Sequence, residues 1–275
     1  RSPSYVVSRP ARDPLALCLD RWLPFAVGYD ITRWKNILQG LFYFQLARRW
    51  PEFFKNYLVK MVNLALRGQV DVARHFTPRY KPWDQRLCLV PDGDMFSAIR
   101  QGRASIVTDQ ISHFTPTGLQ LASGQTLAAD VVVTATGLDL LVLGGMGLMV
   151  DGRPVVLKDC LSYKGMMLSG LPNMAMAFGY TNASWTLKAD LTAGFVCRLL
   201  KHMDRQGYRF VCPQHDGALT PQPFLDFTSG YVVRTSERLP KQGPSTPWRV
   251  HQNYLLDLLA LRFGRLEDGV LRFSA

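Results

Sequence analysis

The chain has 275 residues, 47% of them hydrophobic and 19% charged, with a formal net charge of +11. This composition is globular rather than disordered, and the length suits one large or two ordinary domains. The basic excess suits phosphorylated ligands, an anionic membrane or nucleic acid, but no run of five like charges and no nucleic-acid-binding motif occurs, so no nucleic-acid partner is expected. In chain order, Ser4–Ser8 (SYVVS) reads as a short extended piece after a basic start. From about Asp13 to Arg74 the pattern turns helical, with Trp34, Ile37, Leu38, Leu41, Phe42 and Phe44 at spacings of three and four. A second apolar helix is expected over 53–66, with Pro51 in its first turn. Residues 75–84 are a Pro- and aromatic-rich loop, 85–90 (QRLCLV) a strand, and 91–103 a turn and short helix.

Strands are then expected in SIVTDQI (105–111), around GLQLA, and through QTLAADVVVTA, joined by turns at Thr117-Gly118 and Ser123-Gly124. The run AADVVVTATG (128–137) is apolar without alternation and ends in small residues, the pattern of a buried parallel strand. In open α/β sheets, ligands sit at the carboxyl ends of such strands. MAMAFGY (174–180) reads as another buried strand, leading into a long helix from about Ser184 to Gln206 that Gly207 terminates. A last helix is expected at about 248–263. The sum is an α/β fold with a helical insertion, its boundary near residue 110, where strand–helix rhythm gives way to a hairpin.

Five scattered cysteines, none in a C-x-x-C pair, favour reduced thiols in a cytoplasmic protein, and five histidines without ligand spacing give no metal site. The apolar run near 140–150 is broken by glycines and too short to span a bilayer. The start, Arg1-Ser2-Pro3, offers neither an apolar leader nor an initiating Met, so the chain is expected to begin inside a longer one. Gly144-Gly145-Met146-Gly147 lacks the third glycine of a dinucleotide turn and reads as an ordinary loop.

RSPSYVVSRP, HFTPRYKPWDQRLCLVPDGDMFSAI, ADVVVTATG and LPNMAMAFGYTNASWTLKADL, in this order, resemble the later half of the class B flavoprotein monooxygenases, the flavin-containing and Baeyer–Villiger monooxygenases. The resemblance is weakest over 13–74. It implies a partial flavoprotein with two Rossmann-like dinucleotide-binding domains. Residues 1–110 would be the remainder of the NADP-binding domain, with the insertion at about 13–74, and 111–275 the C-terminal part of the FAD-binding domain. Both glycine-rich nucleotide turns and the fingerprint of the Baeyer–Villiger group are absent; in the family that this chain resembles they lie upstream of the segment matching Arg1. The implied cofactors are FAD and NADPH. The implied reaction inserts one oxygen atom of O2 into a carbonyl or an N- or S-containing organic substrate through a C4a-peroxyflavin. This fragment alone is expected to be inactive.

By the resemblance, Arg1 and Ser2 face the 2′-phosphate of NADPH, a role that suits a guanidinium beside a hydroxyl. Arg86 faces flavin and nicotinamide as the catalytic residue, where a fixed cation stabilises developing negative charge. Gln85 precedes it where some relatives carry Lys, which weakens a second phosphate contact. Thr136 and Gly137 let a strand end approach the cofactor. Gly179, Asn182, Ser184 and Trp185 mark a strand running into a helix whose N-terminus suits a pyrimidine carbonyl. Trp185 also suits core packing or a substrate wall. The aromatic residues of 22–66, with Arg48 and Arg49 adjacent, suit core, a lid over a small apolar substrate, or a peripheral membrane face. The rival reading is a non-catalytic basic module, or truncated paralogue, that binds membrane or a protein partner.

Overall fold

The computed structural model describes residues 3–217 and 219–275, so Arg1 and Ser2 lie outside the described residues. The fold is mixed α/β and divides into two compact units, Arg1–Gly137 and Leu138–Ala275.

In the first unit, β1 (Val6–Arg9) pairs in parallel with β2 (Cys88–Pro91), in register from Val6 opposite Cys88 to Arg9 opposite Pro91. The connection between them is the helical insertion: α1 (Pro14–Leu19), α2 (Phe25–Arg49), α3 (Pro51–Leu66) and α4 (Val72–Phe76). Asp13 caps α1 by accepting from Leu15 N–H at 3.0 Å. Pro51 opens α3, where its missing N–H costs nothing. The α3 stripe Phe54, Leu58, Val62 and Leu66 recurs every fourth residue and is buried. Val62 and Leu66 pack with Val6, Phe76 and Phe96, while Phe54 and Leu58 pack with Tyr5 and Ala47. Burying each such side chain stabilises by roughly 1.5–3 kcal/mol. α2 behaves differently. It buries only Gly28, Ile37 and Ala47, and Phe25, Trp34 and Phe42 are exposed, as is the preceding Trp22 at 81%. Of the expected aromatic stripe, Phe54 is core on α3, while Phe53 and Tyr57 on α3 and Phe25, Trp34 and Phe42 on α2 stay at the surface.

After β2 comes α5 (Asp94–Arg100), then a meander of β3 (Ile111–Thr115), β4 (Gly118–Leu121) and β5 (Thr126–Ala128). Gly118 has φ 153° and a Cβ there would lie 1.9 Å from the Leu127 carbonyl oxygen, so only glycine permits this approach. Strand expectations shift here: β2 starts at Cys88 rather than Gln85, and β3 starts at Ile111, where pairing to Leu121 begins, rather than at Ser105. The meander closes on its own chain, with Ala122 N–H donating to the Gln110 carbonyl at 2.8 Å. The meander belongs to the first compact unit, which ends at Gly137.

The buried strand expected at 128–137 is not formed. Residues 131–140 take no regular structure and join no ladder, and Val131 and Val133 are 79% and 84% exposed. A parallel strand needs hydrogen-bonded edges and cover on both faces, and no described segment of this chain supplies them.

The second unit holds the hairpins β6 (Met149–Val150) with β7 (Arg153–Pro154) and β8 (Ser162–Tyr163) with β9 (Met167–Leu168). Next come α6 (Trp185–Gln206), β10 (Phe210–Pro213), β11 (Gln222–Pro223), α7 (Gly230–Thr235), β12 (Lys241–Gln242), α8 (Tyr254–Leu258) and β13 (Leu271–Ser274). β10 pairs antiparallel with β13, and β11 with β12. α6 buries Lys188, Leu191, Thr192, Phe195, Leu199 and Met203, one face at helical spacing, and Gly207 ends it at φ 71°. The expected strand 174–180 forms no ladder, although Met176 N–H donates to the Met166 carbonyl at 2.7 Å. The expected last helix begins at Tyr254 instead of Trp248, because Asn253 accepts from the N–H groups of Leu255 and Leu256 and sets the cap there. A π-helical turn, Leu259–Phe263, continues it, and Arg198 donates to the carbonyls of Leu261 and Gly264 at 2.7 and 2.8 Å.

Candidate functional site

The first unit carries Gln85 and Arg86 on one turn and Thr136 and Gly137 at its far end, and the second gathers its singled-out residues at the start of α6. In the first, Arg86 leaves a turn that packing fixes on both sides. Trp83 adopts φ 67° and sets its indole against Phe44 and Phe54, with ring centroids 5.8 and 5.6 Å away. Asp84 pairs with Arg48 at 3.0 Å, and Pro82 forms a parallel bridge with Gln85. Gln85 is half-buried in this turn. Arg86 itself is exposed and makes no hydrogen bond or ion pair among the described residues. A rigid base carrying an uncommitted guanidinium suits an anionic ligand. An open groove of about 620 Å³, lined by Pro3, Arg79, Tyr80 and Thr108, lies in the same unit. Thr136 and Gly137 are exposed in the 131–140 segment, with Gly137 at φ 129°.

In the second unit Gly179, Asn182, Ser184 and Trp185 come together at the start of α6. A Cβ on Gly179 would stand 2.2 Å from Trp185 Cγ, so the indole occupies the space a side chain would need. Trp185 also packs against Phe178 at 5.3 Å, and Phe178 against Phe224 at 4.9 Å, while 49% of Trp185 stays exposed. It is thus partly packed and partly a wall open to a ligand. Asn182 donates through Nδ2 to the Gln252 carbonyl at 2.8 Å, which makes it a clamp on its own loop. Ser184 takes the cap position expected of it, but its hydroxyl bonds Thr186 Oγ1 at 2.8 Å and caps no backbone N–H. The Ser184 side chain therefore leaves the first N–H groups of a helix of 22 residues uncapped, at the positive end of its dipole.

Behind this helix end lies a network that the motif reading missed. Lys188 Nζ is 2.9 Å from Asp257 Oδ2, and both side chains are almost fully buried. The same Oδ2 accepts from Tyr180 OH at 2.7 Å. The ammonium approaches as an ion pair and finds no well-aligned hydrogen bond. Burial holds the Lys188 pKa below the ordinary lysine value, with Asp257 pulling the other way. Burial, then Asp257, pushes the Tyr180 phenol up. The signal was present in sequence: Lys188 falls in step with Leu191, Thr192, Phe195 and Leu199 on the apolar stripe, where a lysine needs a partner. A second lysine, Lys164, is buried and lies 3.6 Å from Asp268, a residue at the surface that also accepts from Tyr163 OH at 2.6 Å.

Leu138 and Asp139 are held to α7 and the residues just after it. Arg234 donates to the Leu138 carbonyl at 3.0 Å and Arg238 pairs with Asp139, whose pKa that contact lowers. Gly144 belongs to a short 3-10 turn with left-handed backbone and no following helix, in keeping with a loop. All five cysteines are free thiols, and among the described residues no helix is long and apolar enough to cross a membrane.

No family model matches the chain. The FAD-containing monooxygenase EthA of Mycobacterium tuberculosis (strain ATCC 25618 / H37Rv) is 50% identical over 275 residues, covering 100% of this chain and 56% of that protein. The probable FAD-binding monooxygenase AlmA of Acinetobacter baylyi is 46% identical over 276 residues, 100% of this chain and 55% of that one. The putative FAD-containing monooxygenase MymA of Mycobacterium tuberculosis is 45% identical over 277 residues, with 100% and 56% covered. The chain thus spans about half the length of the curated relatives it matches. The crystal structure of OTEMO in complex with FAD and NADP matches 82% of this chain and 44% of its own, at a TM-score of 0.54 and 15% identity, a likeness of fold.

Proposed function

We propose that this chain, part of a flavin monooxygenase, supplies the nicotinamide-facing arginine and the flavin-facing helix end of an FAD- and NADPH-dependent oxygenation. The observation that carries the reading is 50% identity, over the whole chain, with an FAD-containing monooxygenase. The donor set fits: the uncapped start of α6 offers backbone N–H groups to a pyrimidine carbonyl, and Trp185 gives the ring a flat neighbour. When bound, the flavin supplies the oxygen chemistry and NADPH its electrons. Arg86, exposed and without an ion-pair partner among the described residues, orients the nicotinamide and stabilises negative charge developing near it. Arg1 and Ser2 bind the 2′-phosphate, with Gln85 beside Arg86. Thr136 and Gly137 let the 131–137 segment approach the cofactor once flanking strands, and the phosphate-binding glycine turns, come from the rest of the protein. In this reading 1–110 serve NADPH and 111–275 serve FAD.

The substrate is a small apolar carbonyl compound, converted by Baeyer–Villiger insertion, or an N- or S-containing organic molecule. Purified whole protein, supplied with NADPH and O2, would be assayed by mass spectrometry on a ketone and a thioether. A product heavier by one oxygen supports the reading. A colourless protein that consumes no NADPH rejects it in favour of a non-catalytic module.

The surface of α2 favours a second role for residues 22–66. Trp22, Phe25, Trp34 and Phe42 are exposed on and beside a helix that also carries Arg48 and Arg49. Such a surface suits peripheral contact with an anionic membrane by a protein otherwise in the cytoplasm. Flotation with anionic liposomes at low salt, lost as salt rises, is expected; no flotation at either salt removes this role.

A further inference from the structure

Lys188 stands four residues after the cap Ser184 and is 2% exposed. A cation is disfavoured there twice, by loss of water and by the positive end of the helix dipole. Space is nevertheless left for it: a Cβ on Gly165 would lie 3.6 Å from Lys188 Cε. What holds the ammonium is Asp257 of α8, which also receives the Tyr180 hydroxyl. Immediately upstream of α8, Gln252 Oε1 accepts from Thr181 N–H at 2.9 Å and from Thr181 Oγ1 at 3.1 Å, and its carbonyl accepts from Asn182. One short segment, Gln252 to Asp257, therefore grips both the loop entering α6 and the first turns of the helix.

We propose that Lys188, Asp257 and Tyr180 form a latch that positions the start of α6 for the flavin by tying it to α8. The inference rests on the flavin reading of α6 given above, and its three members are positioning residues that do not touch the cofactor. The Lys164–Asp268 pair provides an internal contrast. It has the same chemistry and its lysine is also buried, but Asp268 reaches the surface and Lys164 meets α6 at Phe195, 4.9 Å from the ring, well beyond the first turn.

The test uses the whole FAD-loaded protein. Lys188→Met alone leaves Asp257 buried and unpaired, and single breaks of this kind are strongly destabilising. The decisive variant is therefore Lys188→Met with Asp257→Asn, which removes both charges and keeps an acceptor for Tyr180. With its melting temperature near the parent's, this pair is expected to release FAD about tenfold more readily and to shift the absorbance and fluorescence of bound flavin. Lys164→Met is expected to lower the melting temperature and move neither flavin signal. A double variant with parental FAD affinity and an unchanged flavin spectrum overturns the latch. Gly179→Ala separates the two layers of inference. If it moves the flavin spectrum while the double variant does not, the latch alone fails. If neither does, the flavin reading of α6 fails as well.

Discussion

In the first unit, Arg86 projects from a turn whose neighbours are fixed, Trp83 by two aromatic rings and Asp84 by Arg48, while its own guanidinium is left open. In the second, Asn182, Tyr180 and Lys188 are all committed to the Gln252–Asp257 segment, and Trp185 fills the space over Gly179. One region offers a charge and spends its interactions on the base beneath it. The other offers backbone donors and a ring face, and spends its charges behind them. In the proposed reading the contrast separates residues that meet a ligand from residues that hold others in place, and substitutions in the two regions should fail in different ways.

The largest effect is expected at Arg86. In the whole protein, Arg86→Ala should leave folding and FAD content intact, since the side chain is exposed and makes no hydrogen bond or ion pair among the described residues. Oxygenation should fall by about two to three orders of magnitude, as for loss of one preorganised donor at ~2.7–4 kcal/mol, with NADPH oxidation continuing and hydrogen peroxide released. Coupled turnover at the parental rate would remove Arg86 from the mechanism.

Next in size is Arg1, whose proposed charge-assisted contact is worth roughly 1.5–3 kcal/mol, or about one to two decades in affinity. Arg1→Ala should raise KM for NADPH by that factor and leave KM for NADH nearly unchanged. Equal shifts for both nucleotides would show an ordinary surface charge.

Gly179→Ala probes the packed region. Its new methyl must displace Trp185, an overpacking cost of about 1–3 kcal/mol. The melting temperature should drop and the tryptophan emission should shift. Parental values of both would mean that the indole moves aside freely.

The smallest effect lies far from either cluster. Asp13 caps α1 and pairs with Lys35, which is the main cause holding its carboxyl at about 2 against an ordinary 3.8. A depressed carboxylate stabilises the fold above its unfolded value, so this contribution is present above pH 3.8 and lost as the pH falls through about 2. Asp13→Ala should cost about 1 kcal/mol at neutral pH, and the gap to the parent should narrow over that acid range. A pH-independent gap would leave only an uncharged capping role.

What the sequence determined by itself were the features that rest on local chemistry: Pro51 opening a helix, Gly207 closing one, the Ser123-Gly124 turn, and the apolar period of α3 and α6. These depend on φ restriction, missing donors and side-chain spacing, which travel with the residue. The family pattern was also legible, through Arg86 and the run from Gly179 to Trp185. Only the tertiary structure decided which apolar segments find partners. The same aliphatic character gives a buried stripe on α3 and an unpaired, exposed stretch at Val131–Val133, because burial requires a second surface that periodicity does not specify. It alone also joined Lys188 to Asp257. A buried charge is visible in sequence as a lysine out of place, but its counter-charge lies 69 positions away and is chosen by packing.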